Sequence, residues 1–238
     1  MAKLHDDWTV LPHDPLQEVA PGLLTVVGQI PMPLGNFPRR MTVVALSGDH
    51  TAIFSPICLP EAEMARIEAL GQPAFLIVPN PAHRLDLRPF HRRYPKAAIV
   101  APEGARAKVA EAVPVTTTTA DLGTGRTLIT VPGLDAIEFV LRVDDAGETS
   151  LVTNDIIGHV RSPRGVGAWI MARLMGFGPA SQVPRVARRM FVKDAPALAA
   201  QFELWAALPD LRRIIPSHGD IIERPAPVLR TLARSLTQ

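Results

Sequence analysis

Short apolar runs, each cut off by proline, glycine or charge, set the rhythm of this chain. Leu23 to Ile30 (LLTVVGQI) and Met41 to Leu46 (MTVVAL) read as strands, and Ser47-Gly48-Asp49-His50 is a turn into a third, Thr51 to Phe54. The opening is therefore antiparallel. Between the first two strands, Pro31 to Arg40 (PMPLGNFPRR) carries too many prolines for a regular element and is expected to be a loop. Pro60 to Leu70 predicts a helix, with Glu61 and Glu63 in its first turn and Gly71 closing it. Phe75 to Val78 is continuously apolar, as a strand buried on both faces should be, and Pro79-Asn80-Pro81 stops it.

The alternation continues. Phe90 to Tyr94 predicts a helical turn, Ala97 to Ala101 a strand and Pro102 to Ala112 a helix. Thr127 to Val131, Ile137 to Val143 and Ser150 to Thr153 predict three more strands. Gly165 to Phe177 (GVGAWIMARLMGF) predicts a helix more apolar than one buried face requires, which suits a lid, a homodimer face or a core helix alike. Val186 to Phe191 and Ala195 to Leu208 predict helices, Leu211 to Ile215 a last strand, and Arg224 to Leu236 a closing helix. Strands and helices mixed in this order give an α+β or α/β chain. No linker divides its 238 residues, so one domain spanning 1–238 is expected.

Composition narrows the function. The 25 basic and 23 acidic residues leave a net charge of +2, too near neutral to suggest nucleic acid as a partner. Cys58 is the sole cysteine, which excludes an internal disulfide framework and a cysteine-rich zinc site and fits a reducing compartment. The first residues lack the apolar core of a signal peptide, and no apolar run is long enough to span a bilayer, so the expected location is the cytoplasm. His5 and His13, set among Asp6, Asp7 and Asp14, read as solvated polar residues of an irregular lead-in, and His50 as a turn residue.

Three ionisable groups stand just past separate apolar runs: His83, Asp155 and His218. Convergence of strand ends is a common way to assemble a site from distant sequence. Two imidazoles and a carboxylate are enough for one zinc, iron or manganese ion with open positions. His159, four residues after Asp155, would share its face if that segment were helical.

The order and context of these segments resemble the metallo-β-lactamase fold, a four-layer αββα sandwich. Its signature is a strand followed by His-x-His-x-Asp-His, then Pro-Gly-His, a strand ending in Gly-Asp, and Pro-Gly-His-Gly. LVTNDIIG at 151–158 resembles the strand whose Asp bridges two metals, with Asp155 in that role and Asn154 replacing Gly. LPDLRRIIPSHGD at 208–220 resembles the closing segment, with His218 as ligand. Val131-Pro132-Gly133 matches the middle motif, with Leu134 where its His should be. In the central motif Asn80 falls on the first His, Ala82 on the second, Arg84 on the Asp and Leu85 on the last His, and a one-residue slip brings His83 towards the second position. MTVVALSGDHTAIFSPICL at 41–59 and the Pro79-Asn80 pair look like a side branch of this fold.

The resemblance implies a hydrolase with a reduced, at most mononuclear metal site, in which Asp155 and His218 carry the chemistry on a small-molecule substrate. The competing implication is a non-catalytic binding protein that keeps the cleft and has lost the metal. On that reading Arg84, permanently charged, takes the place of a ligand and pairs with Asp155. Asn80, Asp86 and His159 complete the candidates.

Overall fold

The computed structural model describes residues 4–32, 35–159 and 181–238. The chain folds as two compact units, Met1–Ile30 with Pro38–Thr124, and Pro31–Phe37 with Gly125–Gln238.

The first unit is built on a six-stranded sheet whose strands stand side by side in chain order. They are β1 (Gln17–Ala20), β2 (Leu23–Met32), β3 (Gly35–Leu46), β4 (His50–Phe54), β5 (Gln72–Ile77) and β6 (Ala98–Val100). β3 and β4 run antiparallel with Val43 opposite Ile53, while β4, β5 and β6 run parallel with Ile53, Leu76 and Ile99 in register. The parallel steps need crossovers, supplied by α1 (Glu61–Leu70) and α2 (Leu87–Arg93). A short helix, α3 (Arg106–Ala110), follows β6. Met41, Val43, Ile53, Met64, Ile67, Leu76 and Phe90 are wholly buried in one core, each stabilising the fold by about 1.5–3 kcal/mol relative to exposure. Gly71 closes α1 at φ 152°, where a Cβ would come within 2.8 Å of the Asp49 backbone.

The second unit carries a four-stranded sheet in the order β10-β9-β8-β7. Its strands are β7 (Arg126–Thr130), β8 (Phe139–Asp145), β9 (Glu148–His159) and β10 (Leu211–Gly219). Only the β9–β10 pair is parallel, with Leu151 opposite Ile214. A short helix α4 (Arg185–Met190) precedes α5 (Ala195–Ala206) and α6 (Pro225–Thr237). Leu198, Phe202 and Trp205 of α5 share a core with Leu229 and Leu232 of α6 and with Leu151 and Ile214 of the sheet. Asp194 caps α5 by accepting the Ala197 N–H at 2.9 Å.

The α+β expectation holds, and four local expectations do not. The lead-in is not irregular throughout, because Gln17–Ala20 pairs with β2 as β1. The described residues between Pro31 and Arg40 are strand rather than loop, because β2 continues to Met32 and β3 begins at Gly35. Pairing of β2 with β3 keeps Pro31 and Pro38 within strands, so tertiary pairing overrides local propensity. β9 and β10 run on to His159 and Gly219, past the ends expected at Thr153 and Ile215. Finally, residues 155–159 are strand rather than helix, so Asp155 and His159 do not share a helical face. The apolar helix expected at Gly165 to Phe177 lies outside the described residues. Among the described residues no helix is long and apolar enough to cross a membrane.

Candidate functional site

In the first unit the candidates lie on the loop between β5 and α2. β5 ends where proline removes the donor it needs, and Asn80 takes over the turn: its Oδ1 accepts the Ala82 N–H at 2.8 Å. Asn80 is buried, so the residue at the family's first ligand position shapes the loop. His83 follows, with Nδ1 2.7 Å from the hydroxyl of Ser55. Ser55 sits just past β4 at φ 58°, a left-handed conformation rare outside glycine, and is itself buried. A strained residue holding one nitrogen of an imidazole fixes the ring's orientation.

Arg84 and Asp86 turn away from the roles expected of them. Arg84 donates to the Lys108 carbonyl at 2.6 Å and to Glu111 Oε2 at 3.0 Å. Both of these contacts lie within the first unit. Lys108 and Arg84 together hold the exposed Glu111 carboxyl below its ordinary range. Asp86 is wholly buried and accepts from Arg39 at 2.5 Å, from the Cys58 N–H at 3.2 Å and from His5 Nδ1 at 2.6 Å. It is the polar anchor of the first core, and His5 is its partner rather than a solvated residue.

In the second unit, Asp155 and His218 meet directly. His218 Nε2 lies 2.9 Å from Asp155 Oδ1, with side chains 7% and 14% exposed. The cause is a break in the β9–β10 ladder. Thr153 stands opposite Pro216 and Gly158 opposite His218, so residues 154–157 oppose Ser217 alone. This bulge turns Asp155 out of the pleat towards β10, the usual service of a bulge beside a site. The apolar runs stop where the regular ladder stops. The buried ring of Phe37 lies 4.8 Å from the His218 ring, tilted by 47°. His159 is buried farther along β9, its Nδ1 2.9 Å from Ser181 Oγ. Leu134, at the middle motif's His position, is wholly buried in the second core.

Asn154 departs from the family's glycine and bears a cost for it. It is wholly buried, and among the described residues neither its Oδ1 nor its Nδ2 has a hydrogen-bond partner; the neighbouring Thr153 Oγ1 also lacks one. Each such group costs on the order of 1–3 kcal/mol. Sequence reasoning missed Ser55, Phe37 and the buried Glu138, which bonds the backbone beside Asp155. Ser55 looks like an ordinary strand-breaking Ser-Pro, and Phe37 is hidden in the proline-rich stretch.

The chain has the metallo-β-lactamase fold. Solved structures of that fold match almost its whole length at low identity. The enzyme from Hirschia baltica is 15% identical at a TM-score of 0.63, with 94% of this chain and 98% of that one covered. The enzyme from Pontibacter korlensis is 11% identical at 0.64, covering 94% and 99%. FIM-1 from Pseudomonas aeruginosa, solved in a mono-zinc form, is 12% identical at 0.63, covering 95% and 96%. No family model matches the chain, and no curated protein does.

Proposed function

We propose that the protein is a hydrolase of this fold with a reduced, at most mononuclear metal site, to which Asp155 and His218 contribute ligands. The observation that carries the reading is the Asp155–His218 pair, set 2.9 Å apart at a bulge in the ladder. The donor types fit: an imidazole and a carboxylate each offer a ligand atom of the kind zinc, iron or manganese takes. The orphaned Asn154 amide next to Asp155 fits as well, since uncompensated polar groups persist where function retains them. The structural relatives support the fold, and the mono-zinc form of one of them is in keeping with a single ion.

The residues divide the work. His83 is held in place through Nδ1 by the Ser55 hydroxyl. Asp155 supplies negative charge and accepts a proton, and His218, braced by Phe37, keeps it oriented. A bound divalent ion would supply a nucleophile at neutral pH and polarise the scissile bond of an ester, amide or phosphoester.

Leu134 in the core and Asn80 in a turn favour a second reading, a non-catalytic small-molecule binding protein that has lost the metal. Elemental analysis of protein purified without a metal-affinity tag separates the two. On the hydrolase reading it finds up to one equivalent, lost in His218→Ala and in Asp155→Ala. Two equivalents would overturn the reduced site, and none, with no uptake on zinc titration, would establish the binding protein.

A further inference from the structure

We propose that Glu138 is the positioning residue for Asp155: its carboxylate fixes the β9 bulge in the one conformation that presents Asp155 to His218. This rests on the reading of Asp155 and His218 as ligands. Glu138 is wholly buried, and its Oε1 accepts the Ile156 N–H at 3.0 Å. That N–H belongs to the peptide group that begins at the Asp155 carbonyl. A peptide is planar, so anchoring its N–H holds the whole 155–156 peptide plane and limits the backbone rotation that sets where the Asp155 side chain leaves the strand. Within the bulge, residues 154–157 face only Ser217 across the β10 ladder. The ladder with β8 runs from Asp145–Glu148 to Leu141–Val152, short of the bulge. A buried backbone donor there needs another acceptor, and Glu138 provides it.

The segment that delivers Glu138 is itself held against strain. Asp135 and Ala136 both adopt left-handed φ values, 47° and 54°. The turn is closed by Val131 N–H donating to the Glu138 carbonyl at 2.9 Å. Its other end is wedged against the start of α5, where a Cβ on Gly133 would overlap the Asp194 carbonyl oxygen. Lys193 N–H also donates to the Gly133 carbonyl at 2.8 Å. Two consecutive strained residues persist only where the surroundings over-determine them, which is typical beside functional groups. In place of the missing middle-motif ligand, the turn contributes the acceptor that aims the remaining carboxylate.

Three variants of the full chain test this: Glu138→Gln keeps an acceptor of the same shape, Glu138→Asp withdraws it by one methylene, and Glu138→Leu removes it. Zinc affinity is read by competition with a chromophoric chelator. Amide exchange at Ile156 and the imidazole 15N shift of His218 at fixed pH are read on the zinc-free protein, with circular dichroism as the control for folding. The expected result is near wild-type behaviour in Glu138→Gln. Affinity should fall by about 10- to 100-fold in Glu138→Asp and Glu138→Leu, with faster Ile156 exchange and a changed His218 Nε2 shift. Folded Glu138→Asp or Glu138→Leu protein with unchanged zinc affinity, Ile156 exchange and His218 shift would overturn the proposal, as would equal losses in all three variants. If wild type takes up no zinc, the metal reading fails by itself. The Ile156 and His218 signals then still decide the role of Glu138.

Discussion

Single residues here carry unequal weight, and burial decides which. Asp86 compensates Arg39, whose side chain is 5% exposed and whose Nε has no hydrogen-bond partner among the described residues. Asp86→Ala would strand that cation and is expected to cost about 3–5 kcal/mol in denaturant unfolding. Glu61, fully exposed and held below its ordinary value of 4.5 by Arg93, behaves differently. Its contribution exists above pH 4.5 and is lost as pH falls through the lowered value, and Glu61→Gln should barely move the melting temperature. Cys58 is pushed up to about 12, by burial first and then by the Asp86 charge. Iodoacetamide at about pH 8, below even the ordinary thiol value, should therefore leave the folded thiol unmodified and alkylate it only after denaturation. Between pH 9.0 and about 12 the unfolded chain releases this proton and the folded chain keeps it, so stability falls across that window. The sequence marked Asp86 and Arg84 only as site candidates, since their partners lie far along the chain: His5, 81 residues away, and Glu111, 27 residues away. Arg84→Asp should accordingly reduce stability, by about 1–3 kcal/mol, without creating zinc affinity, as calorimetric titration would show.

At the scale of elements, hydrophobic pattern located nearly every strand and helix but not where each stops. α1, β5 and β8 appear close to their expected spans because alternation and capping are local properties. The run of β9 through the bulge is not local. It depends on β10, which supplies the partners for Gly158 and His159. Nothing in TNDIIG announces that residues 154–157 leave the ladder with β10 and that Gly158 rejoins it. Asp155 and His218 were legible through the order of their motifs, whereas the support from Glu138 was not, because 18 residues separate it from Ile156. The turn before β8 gives a sharp test of element geometry. Gly133→Ala would drive a methyl into the Asp194 carbonyl at a position with φ 79°. It should destabilise the second unit, seen as faster amide exchange in α5 and β9, while β4 and β5 stay protected.

For the molecule as a whole, the two sheets differ in how far apart along the chain their partners lie. Every strand of the six-stranded sheet pairs with its neighbour in sequence, and the four-stranded sheet closes through β9 and β10. The side chain of Ser217 bonds the Thr153 carbonyl across 64 residues. Loop-closure entropy delays such contacts. In pulse-labelled refolding, amides of Val43, Ile53 and Leu76 should therefore be protected before those of Ile214 and Ile215. The same topology bears on protein synthesis. A ribosome releases β1 to β6 in the order in which they pair, but β9 leaves the exit tunnel long before β10 does. Until residues 214–216 have emerged, Leu151, Val152 and Thr153 form a largely apolar edge without its β10 partners, the kind of surface that recruits other chains. A message truncated between the codons for His159 and Leu211 would yield a product with that edge permanently bare, a substrate for chaperones and proteases rather than a shorter version of the protein.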